Sequence, residues 1–497
     1  MIKLSVSNSF VKCSDLSEKE RASVKALLTY KVDFGAEKLR LVFKMKAMQR
    51  KVQFCKSAKQ AGFFKAMVQR TYQEIEDIKK KEIVCWFRDD AFPTGHLELV
   101  KNYLSKKEYE FVLDDLRIVP KKTHIYKWVN QPEELRYYQK EIIAKCLAES
   151  RGVIESAVSS GKTLMMTCVI KEMGVKTLLV VPSSALSKQI YDEVSNYLGK
   201  HVVEIVDTKK VRAKAELKPI RIITIQSLAS LNKTKDIGHI LKGVDCVMGD
   251  EFHHWGSKSA TDLLPHLDSV YSRIGWTGTF MRNDSSLLDL YGILSNVLHR
   301  YPAHQGVKDG FLTPIIKVNH ELSGTLKLNY QKEYDENYCG NPDMLEIIKK
   351  ILFEMAKDKQ VLILINKKDK SGNIIYKFLQ AEGFKCSYIS GDNSKEEIND
   401  TIKKFNAKKI NILIGSSVIG EGVNVRSTDH LILAQGGKSE IAIVQAIGRL
   451  VRLYEGKEFG YLHDFCFQNT KYMLKHYNMR TEIIKRVFNP EKEISCV

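Results

Sequence analysis

From about residue 151 to 300, short apolar runs rich in Val, Ile and Leu alternate with helix-length amphipathic stretches. Strands buried on both faces read as continuous apolar runs, so the pattern predicts a parallel sheet wrapped by helices. Strands are predicted at 152–157, 177–181, 220–225, 245–249 and 272–277; their ends carry polar residues and glycines, where open α/β sheets bind ligands. A second alternating region runs from about 343 to 470, with strands predicted at 360–365, 385–389, 409–414, 430–433 and 459–464. Between the two regions, residues 301–342 contain GFLTP at 310–314 and then lose clear periodicity, which places a domain junction there. Residues 1–130 mix short strands and helices without the strand–helix alternation.

At 497 residues the chain exceeds what one hydrophobic core usually supports. The pattern divides it into domains at 1–130, 131–305 and 343–497, with a connection at 306–342.

Charge sharpens the picture. The 78 Lys and Arg against 59 Asp and Glu leave a formal +19, which favours a polyanionic partner over an unspecialised basic surface. From Lys38 to Arg70 ten basic residues occur without one acid, and Lys44, Lys46, Arg50 and Lys51 are candidate phosphate contacts. Phe43, Phe54, Phe63 and Phe64 interleave with them. Most of these rings are expected in the core, with base stacking as the alternative. A smaller cluster, Lys209, Lys210, Arg212, Lys214 and Lys218, reads equally as a contact to a polyanion and as a solvated loop.

The N-terminus has no apolar signal-peptide core, and no segment approaches the ~20 apolar residues that span a bilayer. A cytoplasmic protein without membrane contact is therefore expected. Ten cysteines lie scattered without a CxxC pair, which indicates neither a zinc site nor a disulfide framework.

The sequence SAVSSGKT, residues 156–163, follows an apolar strand and leads into the helical run LMMTCVIKEM. It fits the phosphate-binding loop at its informative end, GK[ST]. Ser159, Ser160 and Gly161 would turn backbone N–H groups toward phosphates, Lys162 would reach the β and γ phosphates, and Thr163 would offer its hydroxyl to Mg2+. Ser156 stands where the first glycine of the motif is usual; a chance GKT on a surface turn is the alternative, which the preceding strand and following helix disfavour. Further on, CVMGDEFHH, residues 246–254, ends an apolar strand in two carboxylates. Asp250 would hold Mg2+ and Glu251 would orient and deprotonate the attacking water. A zinc site using His253 and His254 is the weaker alternative, because HExxH spacing is absent.

The order SSGKT, DEFH and then TGT at 277–279 resembles superfamily 2 helicases of the DExH type. The resemblance implies an α/β fold of two tandem RecA-like P-loop NTPase domains, parallel sheets flanked by helices, with an α+β N-terminal accessory domain. It also implies ATP and Mg2+. LRYYQ, residues 135–139, looks like the adenine motif, with Gln139 reading the base and Arg136 stacking on it. LLVVPSSALSKQ at 178–189 and TIQSL at 224–228 resemble motifs that hold the nucleic-acid backbone at strand ends. They make Pro182, Ser183, Ser184, Gln226 and Ser227 candidate contacts, together with Thr277 and Thr279.

In the second region QAIGRLVR, residues 445–452, puts Arg449 and Arg452 three apart on one helix face. The resemblance implies that both reach across a cleft to the γ-phosphate, with Gln445 beside them. ILIGSSVIGEGVNV, residues 412–425, resembles the motif that couples nucleotide to nucleic acid, with Ser416 or Ser417 on the strand backbone and Gly420 and Gly422 admitting close approach. Asn424 stands where many relatives carry Asp. YISGD at 388–392 adds Ser390 and Gly391 to the candidate contacts.

The stretch 89–115 and the run 461–488 resemble phage branch-migration helicases of the UvsW type. This implies a monomer in the host cytoplasm that remodels forked or four-way DNA in replication, recombination or repair, alongside single-strand-binding or recombination proteins. The alternatives are a duplex DNA translocase of a restriction or remodelling assembly, an RNA helicase, and a binding protein that nucleotide merely switches.

Overall fold

The computed structural model describes residues 1–31, 35–55, 57–252, 263–278, 287–355, 358–416, 425 and 428–496. They gather in two compact units: residues 1–120 with the described parts of 255–273 and 281–296, and residues 121–254, 274–280 and 297–497.

The second unit is built on two seven-stranded sheets. In spatial order the first runs Val297–Tyr301, Arg151–Ser156, Ser272–Thr277, Cys246–Asp250, Thr177–Val181, Ile220–Thr224, Val203–Ile205. After Arg151–Ser156 the chain skips two neighbours to form Thr177–Val181, so Ser272–Thr277 and Cys246–Asp250 fill the gap. That switch opens a crevice at the carboxyl ends of the three adjacent strands. Ile154, Leu179, Ile222, Met248, Ile274 and Trp276 pack from the strands against Met165, Val169, Ile190 and Val194 from the helices. This both-faced burial is what the unbroken apolar runs required.

The second sheet runs Cys386–Ile389, Ile412–Gly415, Val361–Ile365, His430–Ala434, Gly460–Gln468, Ile315–Ser323, Lys492–Cys496, with every neighbouring pair parallel. Ile315–Ser323 corrects the reading of 301–342 as aperiodic. It is a nine-residue strand paired on both edges within the seven-stranded sheet. Its letters misled because Lys317, Asn319 and His320 are buried beside Ile315 and Val318. Lys317 Nζ reaches Thr481 Oγ1 at 2.9 Å and lies 4.9 Å from the Tyr477 ring centroid, so the charge is satisfied inside the fold.

The first unit holds a four-stranded sheet in the order Ala91–Pro93, Phe10–Ser14, Ile2–Val6, Phe111–Asp115, mixing antiparallel and parallel pairs. Leu4, Val11, Phe92, Val100 and Leu104 form its core. The helix Leu287–Leu294 belongs to this unit, and its Asp289 accepts from Trp86 Nε1 at 2.8 Å and from the Tyr30 hydroxyl. Gly95 lies under the same helix. A Cβ there would come within 1.9 Å of the Tyr291 carbonyl oxygen, so only glycine admits the approach.

Two further helices of this unit, Gly35–Gln53 and Ala58–Lys81, form an antiparallel arm. Ion pairs from Lys38 to Glu82 and from Lys44 to Glu74 set its register. The expectation that most phenylalanines of this region are core does not hold. Phe43, Phe54 and Phe63 are 62%, 82% and 61% exposed, because two helices alone present too little surface to cover them.

Candidate active site

Ser156 ends its strand and the chain turns through the loop to the helix Lys162–Met173. Ser159 and Gly161 adopt positive φ of 70° and 86°, and a non-glycine residue in that region stores strain of a kind that clusters at ligand sites. Ser156 Oγ donates to Ser160 Oγ at 2.6 Å, so the serine standing for the usual glycine braces the loop from within. Lys162 Nζ lies 3.3 Å from the Ser156 carbonyl oxygen and 3.9 Å from Glu251 Oε1. Thr163 is half-buried on the first turn of the helix.

Asp250 closes its strand and is buried. Its carboxylate accepts from the Glu251 amide at 3.0 Å. Burial, then the neighbouring Glu251 charge, hold Asp250 well above the usual carboxylate range, while Lys162 opposes them. Glu251 sits at φ 45°, and its Oε2 accepts from Thr277 Oγ1 at 3.2 Å and from the Gly278 amide at 3.3 Å. Thr277, expected to touch nucleic acid, is therefore buried against the candidate catalytic carboxylate. Lys162, Glu251 and Thr277 meet because three adjacent parallel strands end side by side.

Mg2+ fits this donor set. The Thr163 hydroxyl and the Asp250 carboxylate are hard oxygen donors that phosphate and water complete, and a cation offsets the Asp250–Glu251 charge. Among the described residues no cluster of three or more His, Cys, Asp or Glu could hold a metal.

The helix Glu440–Leu450 of the second sheet lies directly against the loop of the first. Ser159 Oγ donates to the Gly448 carbonyl oxygen at 3.2 Å and accepts from Arg452 Nε at 3.0 Å. A Cβ on Gly448 would stand 2.5 Å from Val158 Cγ1, so glycine is what allows the helix this close. Arg452 also donates to the Val425 carbonyl oxygen at 2.6 Å, and buried Arg449 donates to that of Gln445 at 2.6 Å. Gln445 itself is half-buried on the helix.

Sequence reasoning missed Lys457. Its buried ammonium donates to the carbonyl oxygens of Thr428, Leu450 and Arg452, capping the end of the arginine helix where carbonyls lack partners. Burial pulls its pKa down to about 7. A lysine after the turn LYEG carries no local signal for this role.

At the adenine motif, Gln139 is buried, accepts from the Arg136 amide at 3.0 Å and donates to the Ser160 carbonyl oxygen at 2.9 Å. Tyr138 OH donates to the same oxygen at 2.7 Å. Arg136 lies 4.4 Å from the ring centroid of Phe311, a second residue missed because its partner is far away in sequence.

The remaining candidates divide by exposure. Ser184, Gln226 and Gly391 are exposed at strand ends, while Pro182, Ser390 and Ser416 are buried. Ser183 is half-buried and caps a helix by accepting from the Leu186 amide at 3.3 Å, and Ser227 is bound to Thr224 Oγ1 through its amide and hydroxyl. Lys44, Lys46, Arg50 and Lys51 are exposed on the arm. Thr279, Ser417, Gly420, Gly422, Asn424, His253 and His254 lie outside the described residues.

A phosphate loop and a carboxylate pair on one parallel sheet, met by an arginine helix from a second, define a tandem RecA-like ATPase. Residues 133–282 match the family model described as Type III restriction enzyme, res subunit, and residues 343–454 match that of the Helicase conserved C-terminal domain. The chain is 24% identical over 417 residues to the ATP-dependent DNA helicase uvsW of Enterobacteria phage T4, covering 76% of this chain and 78% of that protein. It is 23% identical over 391 residues to the DNA 3'-5' translocase XPB2 of Sulfurisphaera tokodaii, covering 71% and 85%. Its fold is also that of S. cerevisiae Dbp5 bound to RNA and ADP BeF3, with TM-score 0.54, 14% identity and coverage of 80% and 93%. The chain belongs to the superfamily 2 helicases and is an ATP-hydrolysing helicase. Among the described residues no helix is long and apolar enough to cross a membrane.

Proposed function

We propose that this helicase remodels branched DNA, regressing forks and migrating four-way junctions, with ATP held between the two sheets. The observation that carries the reading is the contact of Arg452 with Ser159 in the phosphate loop, 3.0 Å across the cleft. In this reading Ser159, Ser160, Gly161 and Lys162 cradle the phosphates, and Gln139 and Arg136 receive the adenine. Thr163 and Asp250 hold Mg2+, which neutralises phosphate charge when bound. Glu251 orients and deprotonates the attacking water, its carboxylate aimed by Thr277 and the Gly278 amide. Arg449 and Arg452, with Gln445, stabilise the charge that develops on the γ-phosphate. Binding favours closure, hydrolysis favours opening, and a strand lying across both sheets is gripped and released in turn.

Ser184, Gln226 and Gly391, exposed at strand ends, line that strand's path in this reading, and the +19 charge supports phosphate contact. In this reading the domains are 1–130, 131–305 and a second motor domain that takes in the strand Ile315–Ser323 of the expected connection as well as 343–497. The protein works as a monomer in the cytoplasm of a phage host, beside single-strand-binding or recombination proteins. The match to a restriction-enzyme subunit model favours a second reading, a duplex translocase that drives a larger assembly. ATPase and strand-exchange assays on linear duplex, forked and four-way DNA separate the two. Lys162→Ala and Glu251→Gln should both abolish turnover, with the latter still binding ATP. Normal hydrolysis in either would remove the site assignment, and ATPase stimulation without fork remodelling would favour the translocase.

A further inference from the structure

The arm of the first unit is graded along its length. At its base Thr71, Ile75 and Ile78 are buried, in the middle Met45, Met48, Met67 and Val68 are half-buried, and at the tip Phe54 is 82% exposed. Charge follows the same gradient. Lys38, Lys44 and Arg70 find carboxylates at Glu82 and Glu74. Between Glu37 and Glu74, however, the sequence has no acid at all, so Lys46, Arg50, Lys51, Lys59 and Lys65 have no counter-ion within the arm's outer half. The helix Gly35–Gln53 is 19 residues long, which at ~1.5 Å per residue carries the tip roughly 28 Å along its axis. Phe54 is 82% exposed among the described residues of the hairpin, and Phe64 behind it is braced by Phe63 edge-on at 5.5 Å and by Lys51 at 5.5 Å from its ring centroid.

An exposed ring on a narrow cationic projection suits one occupant: a base face at the end of a duplex, flanked by diverging phosphate chains. Isolated exposed aromatics are ordinary, but here Phe43, Phe54 and Phe63 are all more than half exposed among uncompensated cations. An apolar protein partner would not need that charge. We propose that the arm is a branch-point wedge, in which Phe54 stacks on the last base pair where strands part while Lys46, Arg50 and Lys51 on one helix and Lys59 and Lys65 on the other hold the separating backbones. The proposal rests on the branched-DNA reading above and names the element that recognises the branch.

The test uses the full-length protein without nucleotide and a synthetic fork carrying 2-aminopurine in the pair next to the branch, with a linear duplex of the same sequence as control. Wild type should change the fluorescence of the fork probe and leave that of the duplex unchanged. Because base–aromatic stacking is worth enough to shift affinity about tenfold or more, Phe54→Ala should lose about tenfold in fork affinity together with the fluorescence change. Its affinity for linear duplex should stay within twofold, and Phe54→Trp should restore fork binding with its own emission quenched by the fork. Equal fork binding and equal 2-aminopurine response in wild type and Phe54→Ala would overturn the wedge. So would loss of a co-purifying protein with fork binding intact, which would make the tip a protein contact. Because the probe is read without ATP, a wild type that perturbs it yet fails to remodel forks once ATP is added would sink the functional reading and leave the wedge standing.

Discussion

Replacing Gly161 by alanine should weaken ATP binding by a predictable amount. Gly161 has φ +86°, and an added Cβ would stand 2.6 Å from Gln139 Nε2. Alanine in the left-handed region costs about 1–2 kcal/mol. The Gln139 amide must also retreat, which breaks its 2.9 Å bond to the Ser160 carbonyl oxygen; that loss is worth about 0.5–1.5 kcal/mol. Together they disfavour the loop conformation by about 1.5–3.5 kcal/mol, which at ~1.4 kcal/mol per decade is roughly 10- to 300-fold in affinity. Titration with a fluorescent ATP analogue reads this directly. A double-mutant cycle with Gln139→Ala isolates the contact, because the glutamine truncation removes the obstacle in advance. The two substitutions should then couple by about 1 kcal/mol. Binding within threefold of wild type for Gly161→Ala, or strict additivity in the cycle, would refute the reasoning.

Two further outcomes follow from other parts of the molecule. Neutralising Lys44, Lys46, Arg50 and Lys51 together should weaken DNA binding and flatten the plot of log affinity against log salt by about 3 to 4 units of slope; an unchanged slope would make that face ordinary surface. Buried His320 and His463 and half-buried His430 form a row with ring nitrogens 3.0 and 3.1 Å apart, and desolvation lowers His320 and His430 to about 4 and His463 well below its ordinary value. Asp464 beside His320 and Asp429 beside His430 oppose this only in part. Their folded pKa values lie below the unfolded ones, so the stability they contribute is complete above about pH 6.5 and is lost as pH falls toward 4. Urea midpoints should therefore drop between pH 7 and pH 5, and a flat profile would contradict burial in the neutral form.

Much of this was legible in the sequence for a physical reason. Thr177–Val181 is buried on both faces, so its letters after the threonine are apolar without interruption and its end is marked by Pro182. The phosphate loop and the Asp250–Glu251 pair could be read because chemistry fixes their residues and spacing locally. What stayed hidden depends on partners distant along the chain. Ile315–Ser323 looks polar until its neighbours satisfy Lys317 and His320. Phe311 matters only because Arg136 folds over it, and Lys457 only because the arginine helix ends above it. The arm's phenylalanines were misjudged because periodicity shows which residues share a helix face and not whether anything covers that face.

The central claim is that ATP is shared between the phosphate loop of one sheet and the arginine helix of the other. Single-turnover hydrolysis by Arg452→Ala in the presence of DNA, with ATP affinity measured in parallel, tests it most directly. The account expects hydrolysis to fall by about 10³-fold or more while affinity changes only a few-fold. A hydrolysis rate within tenfold of wild type would contradict it.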